Sequence, residues 1–174
     1  GIILLPETAT GADIEAARKL LIDRGAADGT TATSLELYWI SRHDMVEFKG
    51  INTSSVTNLQ NAYRNCGSLT SYPFINTSNV ENFHRAWQGC TSLNLFPLID
   101  TSSGTNFSFT WSNTSLTSFP ALDMSSGTNF ISAWQSCALT SFPAGAKLGT
   151  AASNVYFGYS FNGCSALTAL PAGL

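Results

Sequence analysis

Along residues 51–174 the apolar and polar positions repeat with one long period, not with the short period of a single helix or strand. INTSSVTNLQNAYRNCGSLTSYPF (51–74) lies over INTSNVENFHRAWQGCTSLNLFPL (75–98). Two slightly shorter copies follow, IDTSSGTNFSFTWSNTSLTSFPA (99–121) and LDMSSGTNFISAWQSCALTSFPA (122–144). A fifth copy with an altered opening covers 145–174 and contains SNVYFGYSFNGCSALTALPAG. Internal repetition of this kind is the first thing to establish about a chain, because it decides how everything else is read.

Each column of the alignment has one chemical role. Asn58, Asn82, Asn106, Asn129 and Asn154 are each followed by an apolar residue: Leu59, Phe83, Phe107, Phe130 and Val155. A large ring comes four residues after that apolar residue, or six in the last copy: Tyr63, Trp87, Trp111, Trp134 and Phe161. Three positions further on sit Cys66, Cys90, Cys137 and Cys164, with the third copy alone lacking the cysteine. Leu69, Leu93, Leu116, Leu139 and Leu167 come next, then Tyr72, Phe96, Phe119, Phe142 and Leu170. Pro73, Pro97, Pro120, Pro143 and Pro171 close the units.

A unit this short cannot bury its own apolar side, so the copies must stack to share a core. The expected fold is an α/β repeat solenoid, leucine-rich-repeat-like, of about five 23- to 25-residue units. Leu-x-x-Phe-Pro predicts short parallel strands on one face. Asn-Phe-x-x-Ala-Trp-x-x-Cys spaces its apolar residues at i, i+4 and i+7, which predicts a helical turn on the other. The column Asn58, Asn82, Asn106, Asn129, Asn154 suits a structural ladder whose amides satisfy turn backbone groups. Asn52, Asn76, Asp100 and Asp123 open the units as turn formers.

Residues 44–174 form the repeat region, with Asp44–Gly50 as the tail of an incomplete unit (Met45 in the leucine slot, Phe48 in the ring slot). Residues 1–43 form an entry segment and N-terminal helical cap. Thr10-Gly11-Ala12-Asp13 reads as a capping box ahead of Ile14, Ala17, Leu20 and Leu21, and Gly25 as a stop, giving a helix over 11–24. Ser34–Tyr38 reads as a strand. At the other end Ala172-Gly173-Leu174 brings no polar cover, and an uncovered edge invites pairing, through self-association or with the next part of a longer chain. The opening Gly1 in place of Met fits a processed product or an excised piece.

Charge sharpens this division. Charged residues make up only 11% of the chain, against roughly 25% in ordinary soluble domains. Thirteen of the nineteen lie before residue 50, and only Arg64, Glu81, Arg85, Asp100, Asp123 and Lys147 lie after it. A net charge of −3 attracts neither nucleic acid nor an anionic membrane, and the longest apolar run, Gly1–Pro6, is too short to span a bilayer.

The pattern Cys-x-x-Leu-x-x-Phe-Pro followed by Asp-Thr-Ser-x-x-x-Asn-Phe-x-x-x-Trp resembles the BspA-like leucine-rich repeats of bacterial surface proteins. Asn76-Thr-Ser-Asn-Val, Gly89-Cys-Thr-Ser-Leu and Gly163-Cys-Ser-Ala-Leu carry the resemblance most closely, over about 44–174. It departs from the family where copy three loses its Cys and where rings replace the family's frequent Met. The resemblance implies a secreted or surface-anchored adhesin, or a structural or tail-fibre protein of a phage. It does not imply a ligand.

The candidate sites all admit a plain structural reading. The cysteines read as buried thiols, with Cys66–Cys90 or Cys137–Cys164 within reach of a disulfide. The ring column reads as core, or as a sugar-stacking strip. The Asn52/Asn76/Asp100/Asp123 column reads as turn capping, or as a weak calcium site. Asn52, Asn76, Asn106 and Asn113 begin Asn-x-Ser/Thr sequons that the composition of the repeat produces by itself. The candidate binding residues are Thr70, Ser71, Asn94, Leu95, Thr117, Ser118, Thr140 and Ser141, an outward strip of small neutral groups suited to a glycan or a protein. No nucleophile elbow, phosphate loop, zinc-protease motif or dinucleotide fingerprint occurs, so no catalytic residue, cofactor or metal is expected. The sequence therefore points to a non-enzymatic recognition and adhesion module at a cell surface or on a virion, bound to a host-surface protein or glycan. The alternative is a structural subunit that binds copies of itself in a virion, sheath or filament.

Overall fold

The computed structural model of the chain describes residues 40, 41, 43, 53–72, 75–151 and 154–170. The expected helix over 11–24, the strand at 34–38, the incomplete unit at 44–50, Asn52 and the Ala172–Leu174 end lie outside the described residues.

Successive units stack in register through their backbones. Parallel bridges join Asn58 to Asn82, Asn82 to Asn106 and Asn106 to Asn129, and the last joins Asn129 to Tyr156. One short parallel sheet is added by β1 (Asp123–Met124) and β2 (Lys147–Leu148), with Asp123 opposite Lys147 and Met124 opposite Leu148.

The backbone does not wind as a helix between the Asn and Cys columns. The N–H groups of Leu59, Asn61, Tyr63 and Asn65 donate to the carbonyls of Asn82, His84, Ala86 and Gln88 in the next unit, at 2.7–2.9 Å. The intervening N–H groups of Ala62, Arg64 and Cys66 close local turns on carbonyls three residues back. Each unit also holds a pair of residues at positive φ, four apart: Asn61 and Asn65, Arg85 and Gly89, Phe109 and Asn113, Ser132 and Ser136, Tyr159 and Gly163. A right-handed helix has no place for such residues, and its N–H groups would be spent within the segment.

The expected α/β repeat solenoid is thus overturned. Among the described residues there is no helix, and the only strands are β1 and β2, each of two residues. The spacing of i and i+4 was real but came from linked three-residue turns. Among the described residues the Leu-x-x-Phe-Pro stretch also forms none of the expected strands, with Ser71 alone in an isolated bridge. That stretch is crossed by isolated bonds, Thr140 N–H to Thr117 O at 3.2 Å and Thr168 N–H to Thr140 O at 3.5 Å. Proline has no N–H to give, so a ladder cannot continue through Pro97, Pro120 or Pro143.

Three columns of side chains fill the interior. Tyr63, Trp87, Trp111, Trp134 and Phe161 stack with centroids 5.1–6.1 Å apart and planes within 9° of parallel. Tyr72, Phe96, Phe119 and Phe142 form a second column that meets the first edge-on, for example Trp111 against Phe119 at 4.8 Å and 77°. Phe83, Phe107, Phe130 and Phe157 form a third, 5.0–5.3 Å apart. Such ring pairs add about 0.5–1.5 kcal/mol each beyond the area they bury. The third column fixes the register of the fifth unit: Phe157, not Val155, lies on Phe130. The four-residue step to Phe161 is thereby restored, and Tyr156 takes the Asn slot.

Candidate functional site

The eight candidate strip residues Thr70, Ser71, Asn94, Leu95, Thr117, Ser118, Thr140 and Ser141 are all exposed. They come from the same two positions in four successive units, between a fully buried leucine (Leu69, Leu93, Leu116, Leu139) and a buried ring (Tyr72, Phe96, Phe119, Phe142). Thr168 and Ala169 continue the strip in the fifth unit. In the first four units each pair is therefore pinned on both sides by the core while its own side chains face water; in the fifth, Leu167 is half-buried and Leu170 exposed. The strip carries no charge. Leu95 (63% exposed), with Leu98 three residues on (64%), makes one apolar spot on it in the second unit.

The asparagine column is half-buried from Asn58 to Asn129. Asn58, Asn82, Asn106 and Asn129 each accept, through Oδ1, the backbone N–H two residues on, at 2.9–3.1 Å. Asn82 also donates from Nδ2 to Gln60 Oε1 at 3.1 Å. Asn154 is exposed, and Tyr156 makes the last rung in its place.

Asn76, Asp100 and Asp123 cap their turns in the same way, accepting from the N–H of Ser78, Ser102 and Ser125 at 3.0–3.1 Å. Asp123 also takes Lys147 Nζ at 2.6 Å. That ammonium, then the Ser125 hydroxyl and N–H, hold the Asp123 carboxyl down at about 2. Only Asp100 and Asp123 of the column carry a carboxylate, and each already accepts from serine, Asp123 from Lys147 as well, which suits turn capping better than calcium. The described residues contain no group of three or more His, Cys, Asp or Glu able to hold a metal ion.

Burial decides the ring column. Tyr63, Trp87, Trp111 and Trp134 are fully buried, so no sugar can stack on them. Cys66, Cys90, Cys137 and Cys164 are free thiols and buried. Cys90, Cys137 and Cys164 donate to the carbonyls of Tyr63, Trp111 and Trp134 at 3.0–3.1 Å. Thr114 fills the slot in the copy that lacks cysteine, donating to Trp111 O at 2.9 Å.

Two features were not anticipated. Thr53, Thr77 and Thr101 are buried and form a hydroxyl ladder, donating to the carbonyls of Asn76, Asp100 and Asp123 in the next unit. The recurring Thr of Asn/Asp-Thr-Ser was the visible signal for it. On the turn face, His84 Nδ1 lies 2.6 Å from Ser108 Oγ, and the Arg85 guanidinium sits 5.0 Å over the Phe109 ring. Burial first, then the neighbouring Arg85, lowers the His84 pKa. A Ser–His pair suggests nucleophilic chemistry, but the geometry opposes it. Ser108 is buried and its hydroxyl proton goes to Asn106 Oδ1 at 2.7 Å, so His84 donates to Ser108 and cannot act as its base.

No described helix is long and apolar enough to cross a membrane. Comparison with protein-family models, with curated proteins and with solved structures returned no match, so these residues have to carry the functional reading by themselves.

Proposed function

We propose that the chain is a non-enzymatic recognition module of an extracellular, cell-surface or virion protein, and that it binds a host-surface glycan or protein along its exposed strip. One observation carries this reading. Two adjacent positions stay exposed and uncharged in each of the first four described units while both flanking positions are locked in the core. Rigid placement of hydroxyl and amide groups lowers the entropy lost on binding, and a neutral surface needs no counter-charge on the ligand. The resemblance of the repeats to BspA-like surface proteins agrees with an adhesive role.

The test is binding of the purified chain to immobilised host-surface glycans and to cells, beside a Ser71→Arg/Ser118→Arg/Ser141→Arg triple variant. All three sites are exposed, so the variant should fold. Binding by the parent that is lost in the variant and insensitive to salt is the expected result. Equal binding by both removes the strip as the site. The structural-subunit reading keeps a place because Phe157 and Phe161 of the last described unit are half-buried, where their counterparts Phe130 and Trp134 one unit earlier are fully buried.

A further inference from the structure

The turn face of the first two described units gathers polar side chains that the protein itself leaves unpaired. Backbone bonds from Asn61 N–H to His84 O (2.9 Å) and from Asn65 N–H to Gln88 O (2.7 Å) lay residues 61–65 against 84–88. Asn61 thereby shares a column with Arg85, and Arg64 shares the next with Gln88. Asn61 Oδ1, Arg64 Nε, Arg85 Nε and Gln88 Oε1 are all buried, and none has a hydrogen-bond partner. Asn61 as a whole is only 8% exposed. Buried polar atoms without partners are costly and rare in folded proteins, so four of them on two neighbouring columns ask for a common explanation.

Charge is unbalanced at the same place. Among the described residues Arg64 and Arg85 form no ion pair, while Lys147 is taken by Asp123 and Asp100 caps Ser102. Glu81, the acidic residue of the second unit, is exposed and pairs with neither arginine. Both guanidiniums are near enough to act on His84: burial first, then Arg85 and more weakly Arg64, lower its pKa. The imidazole is therefore neutral near pH 7, and two positive charges stand side by side without a counter-charge. Arg85 also lies 5.0 Å over the half-buried Phe109 ring, which His84 meets edge-on at 6.2 Å.

We propose that Arg64, Arg85, Asn61 and Gln88 form a second binding site, and that it takes an acidic sugar, a uronic acid residue of a glycan. The guanidiniums receive the carboxylate, for which their planar fork is matched. The amides of Asn61 and Gln88 receive the hydroxyls that stand next to that carboxylate on the sugar ring, and Phe109 offers an apolar edge to its C–H face. None of the four side chains is held by a hydrogen bond, so each turns onto a ligand without breaking one. An aspartate or glutamate side chain would satisfy the guanidiniums and leave the two amides unfilled, which favours the sugar over an acidic peptide. The site is charged and lies on the turn face, so it is independent of the neutral strip and its ligand.

The experiment is calorimetric titration of the full chain with trigalacturonate, with its neutral methyl ester and with a triglutamate peptide. Trigalacturonate should bind, and the ester should bind roughly tenfold more weakly or worse, since it cannot charge the hydrogen bonds. An Arg64→Gln/Arg85→Gln variant that melts like the parent should lose about as much. Lys147→Gln, which removes one positive charge elsewhere, should bind as the parent does. No binding of trigalacturonate, equal binding of the ester or equal binding by the arginine variant overturns the proposal. So does triglutamate binding as tightly as trigalacturonate, because the face then recognises acidic peptides. The ester comparison uses the parent chain alone and decides the matter even where the arginine variant fails to fold.

Discussion

The first described unit and the last are built from the same columns and meet opposite fates. In the first, Val56, Leu59, Tyr63 and Cys66 are wholly shielded, although this unit, like the last, has a described neighbour unit on one side only. In the last, Phe157 and Phe161 are half-exposed and Tyr159 is 72% exposed. Equal sequence roles thus produce unequal burial. What separates the two is how far each junction is closed, and energy in a stacked repeat is a property of the junction more than of the unit.

The sharpest way to break that comparison is to empty the same column at two depths. Trp111→Ala removes a ring buried between Trp87 and Trp134 and should cost about 3–5 kcal/mol in chemical denaturation. Phe161→Ala, with a neighbour on one side only, should cost about 1–2 kcal/mol. Equal costs would mean that burial in the stack does not set the cost of removing a ring.

A smaller contrast uses glycine. Gly89 sits at φ +74°, and an added Cβ would meet Asn65 Oδ1 at 2.3 Å, so Gly89→Ala should destabilise by about 1–2 kcal/mol or more. Gly158, on the open face, has its nearest atom at 3.9 Å, and Gly158→Ala should stay within about 0.5 kcal/mol. Thermal melts of both variants decide this.

The smallest effect concerns acid. Because the folded Asp123 carboxyl titrates at about 2, below the ordinary carboxylate value, its contribution is complete above roughly pH 4 and disappears as pH falls through 2. The pair with Lys147 is largely exposed, so that contribution is on the order of 0.2–1 kcal/mol. Asp123→Asn should lose that small contribution at pH 7 and flatten the stability profile in the acid window, so that the two proteins converge as pH falls through 2. An unchanged acid limb would mean that water screens the pair completely.

Much of this arrangement was legible in the residues. Every ring, leucine and cysteine column could be placed from its spacing, because stacking repeats the identity of each neighbour. The strip positions followed from the same alignment. Backbone handedness could not be read. Arg85, Phe109 and Tyr159 adopt positive φ although nothing in those residue types announces it, and a chain of short turns spaces its apolar residues much as a helix does. The fifth unit misled because Asn154-Val155 imitates the Asn-apolar step two residues before the true one. The step of four from Phe157 to Phe161 was the better guide, since ring stacking sets the register and a single asparagine does not. The closing prolines were visible throughout, and their missing N–H groups already argued against a strand there.

The thiol column has a consequence for chemistry over time. Burial pushes the Cys137 thiol up to about 11, so near neutral pH the reactive thiolate is scarce there. Oxidants and metals act on that form, and Cys90 and Cys164 are shifted in the same direction. A chain whose sulfurs serve as hydrogen-bond donors to carbonyls ages slowly in air, holds its shape without cross-links and should be as durable in a reducing medium as in an oxidising one.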